Sequence, residues 1–111
     1  RNPAVKGVLA DPVGSTMGGG EKGEYAIEGI GNDFIAKTMD MSLVDKVIKV
    51  TDKEAFDECR RLAANEGIFA GESSGAAMAA VRILAEEVGK GSIVTVFPDR
   101  GDRYFSKHLY A

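Results

Sequence analysis

The sequence predicts an α/β fold with a mostly parallel sheet flanked by helices, and three observations carry that reading. Short apolar runs alternate with segments of helical period in the order strand, helix, strand, helix, strand. The run Ser92 to Phe97 is apolar almost throughout, which suits a strand covered on both faces of a parallel sheet. From Ala76 to Ala85 only Arg82 is charged and five of the ten residues are alanine, the composition of a buried helix that neighbouring backbones approach closely. With 111 residues, 44% hydrophobic and 28% charged, the chain is long enough for one domain and close to average globular composition.

The elements follow in order. Ala4 to Ala10 reads as a short strand stopped at Asp11-Pro12. Asp11 to Asp33 holds seven of the chain's 14 glycines and reads as a functional loop, a mobile segment or both. Val44 to Val50 is a second strand. Thr51-Asp52-Lys53-Glu54 has the spacing of a capping box. The helix behind it places Ala55, Phe56, Cys59, Leu62 and Ala63 on one stripe, with Asp57, Glu58, Arg60 and Arg61 outside it. It ends near Asn65 to Gly67, with Gly67 available for a left-handed cap. Ile68-Phe69-Ala70 is a very short strand, Gly71 to Gly75 a turn, and Ala76 to Val88 the second helix.

The net charge is −3, and Arg60-Arg61 is the only adjacent pair of cations, so no basic patch suggests a nucleic-acid partner. No run approaches the ~18 apolar residues that would cross a membrane. One cysteine, Cys59, permits no intrachain disulfide; its place on the apolar stripe makes it a core residue and fits a cytoplasmic setting. His108 has no companion histidine or second cysteine, so no metal site is expected. The chain starts at Arg1-Asn2-Pro3 with neither initiator methionine nor signal-peptide core, and reads as a piece of something longer.

Gly71-Glu72-Ser73-Ser74-Gly75 leaves three readings open. It satisfies G-x-S-x-G, the nucleophile-elbow pattern, with Asp99 or Asp102 and then His108 downstream; but no earlier strand–helix loop offers the second oxyanion donor. Ser73 or Ser74 could instead cap the Ala-rich helix. A hydroxyl at the positive end of that helix could also donate to a heterocyclic nitrogen, which would then stay unprotonated. Gly18-Gly19-Gly20 followed by Glu21-Lys22-Gly23 fails the Walker pattern, so flexibility explains those glycines better than phosphate binding. Glu28-Gly29-Ile30-Gly31 could let a backbone approach a ligand closely. Pro98-Asp99-Arg100-Gly101 follows the last strand, at the sheet edge where ligands of open parallel sheets bind.

Taken together, four motifs occur in a fixed order: Asp11-Pro12-Val13-Gly14-Ser15, Glu28 to Phe34, Glu66 to Ala76, and Pro98 to Tyr104. This succession resembles the C-terminal third of the cysteine synthase / cystathionine β-synthase family and spans essentially the whole chain. The resemblance implies part of the C-terminal, large domain of a pyridoxal 5'-phosphate enzyme of fold type II. It implies that Ser73 donates to the cofactor's pyridine nitrogen, that Pro98 lies near the ring, and that Gly29 and Gly31 border the substrate cleft. A neutral donor at that nitrogen would weaken the electron sink and favour α-proton removal with loss of a β-substituent.

The implied activity is β-replacement on serine or an O-activated serine with a sulfur nucleophile, in a cytoplasmic homodimer. The alternatives are a nitrogen nucleophile, as in diaminopropionate-precursor relatives, or a non-catalytic fragment serving as an interaction domain. The family's catalytic lysine and phosphate loop would lie in an N-terminal part not included in residues 1–111, leaving this segment inactive alone. Two departures stand within the motifs: Ala36 where proline commonly follows Phe-Ile, and Glu72 where a small or apolar residue is usual.

Overall fold

A computed structural model describes residues 2–102, 104, 109 and 110 of the chain. Strand β1 (Val8–Pro12) and strand β2 (Lys46–Val50) pair in parallel, with Val8 opposite Lys46 and Pro12 opposite Val50. Helix α1 (Asp52–Arg61) continues through a π-helical turn (Leu62–Glu66), and helix α2 (Glu72–Val88) follows. The α/β class holds, with parallel strands flanked by helices.

Several boundaries move. The first strand lies later than the apolar run suggested, and it includes Asp11 and Pro12. Pro12 is tolerated as the strand's last residue, where the missing N–H costs little. The second strand begins at Lys46, because Met41–Leu43 forms a 3₁₀ turn whose preceding Asp40 accepts from Ser42 N at 2.9 Å.

At α1 the capping box is complete. Thr51 N donates to Glu54 Oε2 at 2.8 Å, and Glu54 N donates to Thr51 Oγ1 at 3.2 Å. Gly67 closes the helix with φ 67°, ψ 20°, the left-handed cap its position suggested. The stripe buries Ala55, Cys59 and Leu62, but Glu58 is buried as well. Its carboxylate is compensated by Arg61 at 2.6 Å and by Arg82 of α2, whose Nη2 lies 3.1 Å from Oε2. Helical period alone could not foresee a partner 24 positions away.

Helix α2 starts four residues earlier than expected, absorbing the supposed turn at 71–75. Its buried residues run from Glu72 to Ala80, while Ala85 to Val88 are exposed, so it is buried over its first half only. That half packs on α1 so tightly that a Cβ at Gly75 would lie 2.1 Å from Ala55 O and 2.4 Å from Cys59 Sγ. The core of Ile27, Ile48, Val50, Ala55, Ala76, Ala79 and Ala80 lies where β2, both helices and the 26–28 segment meet.

Two expected strands do not form. Ile68-Phe69-Ala70 contributes one isolated antiparallel bridge, Ala70 to Arg100. Ser92 to Phe97 forms no strand; Val94 is 91% and Val96 72% exposed. A strand exists only through hydrogen bonds to a neighbour, and the sheet of the described residues has two strands, of which this segment is not one. Among the described residues no helix is long and apolar enough to cross a membrane.

Candidate functional site

The long glycine-rich loop is tied down at several points. In-register pairing sets Asp11 opposite Lys49, and Lys49 Nζ reaches Asp11 Oδ2 at 2.5 Å and Ser15 O at 2.9 Å. Asp11 Oδ2 also accepts Gly18 N at 3.0 Å. Ser15 Oγ donates to Asn32 O and accepts from Asn32 N, both at 2.9 Å, so the two ends of the 15–32 segment are joined. Flexibility alone therefore does not describe this loop: it is anchored on the sheet and on itself, and it delivers Gly29-Ile30-Gly31 to a defined place.

That place is the N-terminus of α2. Gly71 is the N-cap and makes no side-chain cap bond, so neither Ser73 nor Ser74 caps the helix; they are its second and third residues. Ser74 is fully buried, and its Oγ has no hydrogen-bond partner among the described residues. Ser73 is 6% exposed and its hydroxyl bonds no described residue. The helix dipole makes that end positive. Facing it is Gly29 at φ +87°, where a Cβ would lie 3.9 Å from Ser73 Oγ. The two residues thus meet across 44 positions of sequence.

Gly31 has a different neighbourhood. At φ +82°, its added Cβ would meet Tyr25 Oη at 2.8 Å and Pro12 Cγ at 2.9 Å, so the missing side chain there lets the loop pack on the end of β1. Pro98 is exposed, and the residue after it is tied to α2: Gly71 N donates to Asp99 O at 2.9 Å. Gly101 N donates to Phe69 O at 3.0 Å, completing the link. Tyr104 donates to Asp99 Oδ2 at 2.5 Å, and that carboxylate, with burial, pushes the phenol up to about 12. Ser73, Gly29 and the 98–101 turn are therefore neighbours around one helix end, and Gly31 stands two residues further along.

Sequence reasoning missed what holds them there. Glu72, completely buried, accepts Glu28 N on Oε2 at 2.9 Å. Asp52, the first residue of α1, accepts Ala26 N on both carboxylate oxygens at 2.9 Å. Between them Ile27 is buried in the core. An acidic first turn is visible in sequence, but its bond to a loop 26 or 44 residues away is not. Burial raises the Cys59 thiol to about 11, and the thiol donates to Gly71 O at 3.2 Å, a core role as expected. The described residues include no cluster of metal-binding side chains. The elbow reading loses its geometry, since Ser73 lies inside a helix, and its third member, His108, lies outside the described residues, as does Arg103 of the last motif.

Comparison with known proteins identifies the family. Residues 1–99 match the family described as pyridoxal-phosphate dependent enzyme. The chain is 48% identical over 111 residues to the O-acetylserine dependent cystathionine beta-synthase of Bacillus subtilis, covering 99% of this chain and 36% of that protein. It is 40% identical to the cysteine synthase of Helicobacter pylori, again with 36% of the relative covered. Among solved structures, the O-acetylserine dependent cystathionine beta-synthase of Helicobacter pylori superposes with a TM-score of 0.87 at 40% identity, over 98% of this chain and 36% of the other. The cysteine synthase of Entamoeba histolytica gives 0.92 at 34% identity, over 98% and 33%. An O-ureido-L-serine synthase gives 0.89 at 35% identity, over 98% and 35%. The chain spans about a third of the length of these relatives.

Proposed function

The chain belongs to the family of pyridoxal-phosphate dependent enzymes and has their fold type II architecture, and on that premise we propose that it is the C-terminal portion of a β-replacement enzyme. The donor would be serine or an O-activated serine such as O-acetylserine, and the acceptor a sulfur nucleophile. The N-terminal domain and the catalytic lysine would belong to the rest of the protein. The observation that carries the reading is the meeting of Ser73 and Gly29 at the start of α2. The cofactor, when bound, supplies the electron sink for removal of a substrate α-proton.

The residues present fit that group. Ser73 holds a hydroxyl proton with no described partner, at a positive helix end where an acceptor nitrogen would be kept neutral. Gly29 faces it with hydrogen only, where a Cβ would lie in contact with the hydroxyl. The 98–101 turn, fastened to Gly71, would bring Pro98 to the same edge. Gly29 and Gly31 would border the substrate cleft.

A homodimer in the cytoplasm, acting on small amino acids, is the expected setting, with this segment inactive by itself. The bare 92–97 segment supports a larger protein, because burying each exposed valine would contribute about 1.5–3 kcal/mol. A second reading, a stand-alone interaction domain, requires folded, monodisperse and colourless material of 11.8 kDa. A visible cofactor band together with additional polypeptide mass excludes it. In the complete enzyme, Ser73→Ala should weaken cofactor affinity and lower turnover by about tenfold, the value of one lost neutral hydrogen bond. Unchanged turnover would overturn the assignment. Product analysis with sulfide, homocysteine and a nitrogen nucleophile decides between the sulfur acceptor and a diaminopropionate-precursor chemistry.

A further inference from the structure

Glu72 has no task in the function above, and family resemblance provides none, since a small or apolar residue is usual at its position. Yet it is the largest completely buried side chain among the described residues. As the first residue of α2 it stands at the positive end of the helix dipole, a common place for an acidic residue, but that does not say why this one is buried. The reason lies in where it reaches. Oε2 accepts the N–H of Glu28, the residue immediately before Gly29, while the next residue after Glu72 is Ser73. One carboxylate thus links the two strands of chain that face each other at the candidate site.

The link is half of a clamp. Asp52, the first residue of α1, takes the N–H of Ala26 in the same way. Two alternate amides of one extended segment are gripped by the first residues of both helices, with Ile27 packed into the core between them. Asp52 is partly exposed and Glu72 is not, so water competes for the first bond far more than for the second.

We infer that Glu72 is a positioning residue, which fixes the Gly29-Ile30-Gly31 turn at a set distance from Ser73 and so sets the width of the cleft there. This rests on the β-replacement reading for its consequence, but not for its geometry. Without the carboxylate, the Glu28 amide loses this acceptor while Ile27 still anchors the segment, so the turn shifts relative to Ser73. The loss should therefore fall on substrate binding more than on the chemical step.

The test uses the complete holoenzyme with Glu72→Ile, Glu72→Ala and Glu72→Gln. Hydrogen exchange of the Glu28 amide should accelerate about tenfold or more in the Ile and Ala variants, the equivalent of one hydrogen bond to a charged group. KM for O-acetylserine should rise about tenfold in both, with kcat changed less than about threefold. Glu72→Gln keeps an acceptor oxygen and should restore both readouts to within about threefold. The inference is overturned if the Glu28 amide exchanges at the wild-type rate in Ile and Ala. It is equally overturned if kcat falls as much as KM rises with Gln no better than Ile, which is the mark of a general loss of packing. The exchange measurement needs no turnover, so an enzyme inactive on O-acetylserine would refute the proposed reaction and leave the clamp to be judged by exchange alone.

Discussion

The two helices begin with the same device and use it differently. At α1, Thr51 and Glu54 close a reciprocal capping box at the surface, and Asp52 beside them holds Ala26. Everything needed for the cap lies within four residues. At α2, Gly71 makes no side-chain cap and bonds Asp99 O, the first three helical residues are buried, and Glu72 and Ser73 meet Glu28 and Gly29 far away in sequence. The first terminus serves the helix that carries it. The second gives up local capping and becomes the place where two loops converge, which is what a ligand site at a positive helix end requires.

Three perturbations break or sharpen this contrast. The largest acts on the packing that seats the start of α2. A methyl at Gly75 would collide with Ala55 O and Cys59 Sγ of α1. Gly75→Ala should therefore destabilise the complete protein by about 3 kcal/mol, read as a lower urea midpoint with unchanged slope.

The next acts on the 98–104 turn. Tyr104→Phe removes the bond to Asp99 and should cost about 1.5 kcal/mol at neutral pH. The phenol's folded pKa is raised from 10.0 to about 12, so its neutral form is favoured by folding. That stabilisation is fully present below pH 10 and is lost as pH rises through 12. Urea midpoints of wild type and Tyr104→Phe should therefore converge over that window. Parallel curves would show that the bond does not form.

The smallest acts on α1. Thr51→Ala should cost about 1 kcal/mol of stability and leave KM and kcat alone, because the cap touches nothing at the site. A change in KM here would erase the distinction between the two termini.

Much of the molecule was legible in sequence where its cause is local. The capping box, the left-handed Gly67 and the Ala55, Cys59 and Leu62 stripe are set by residues a few positions apart. The candidate site was legible in part: Ser73, Gly29 and the 98–101 turn do come together, although Ser73 belongs to a helix start rather than to a turn after a strand. Errors fell where long-range partners decide. Glu58 was assigned to solvent because its compensating Arg82 lies on another helix. The 92–97 segment was assigned to the sheet because its apolar residues fit a central strand, but a strand also needs neighbours to pair with.

The contrast between the helix starts divides in the same way. The sequence by itself determined the α/β class, both helices and the family, since periodicity, caps and ordered motifs are properties of neighbouring residues. Only the tertiary structure decided that Glu72 would turn inward to Glu28 and that Gly29 would face Ser73. Those contacts join residues 44 positions apart, and their geometry follows from the packing of Ile27 and of α2 on α1.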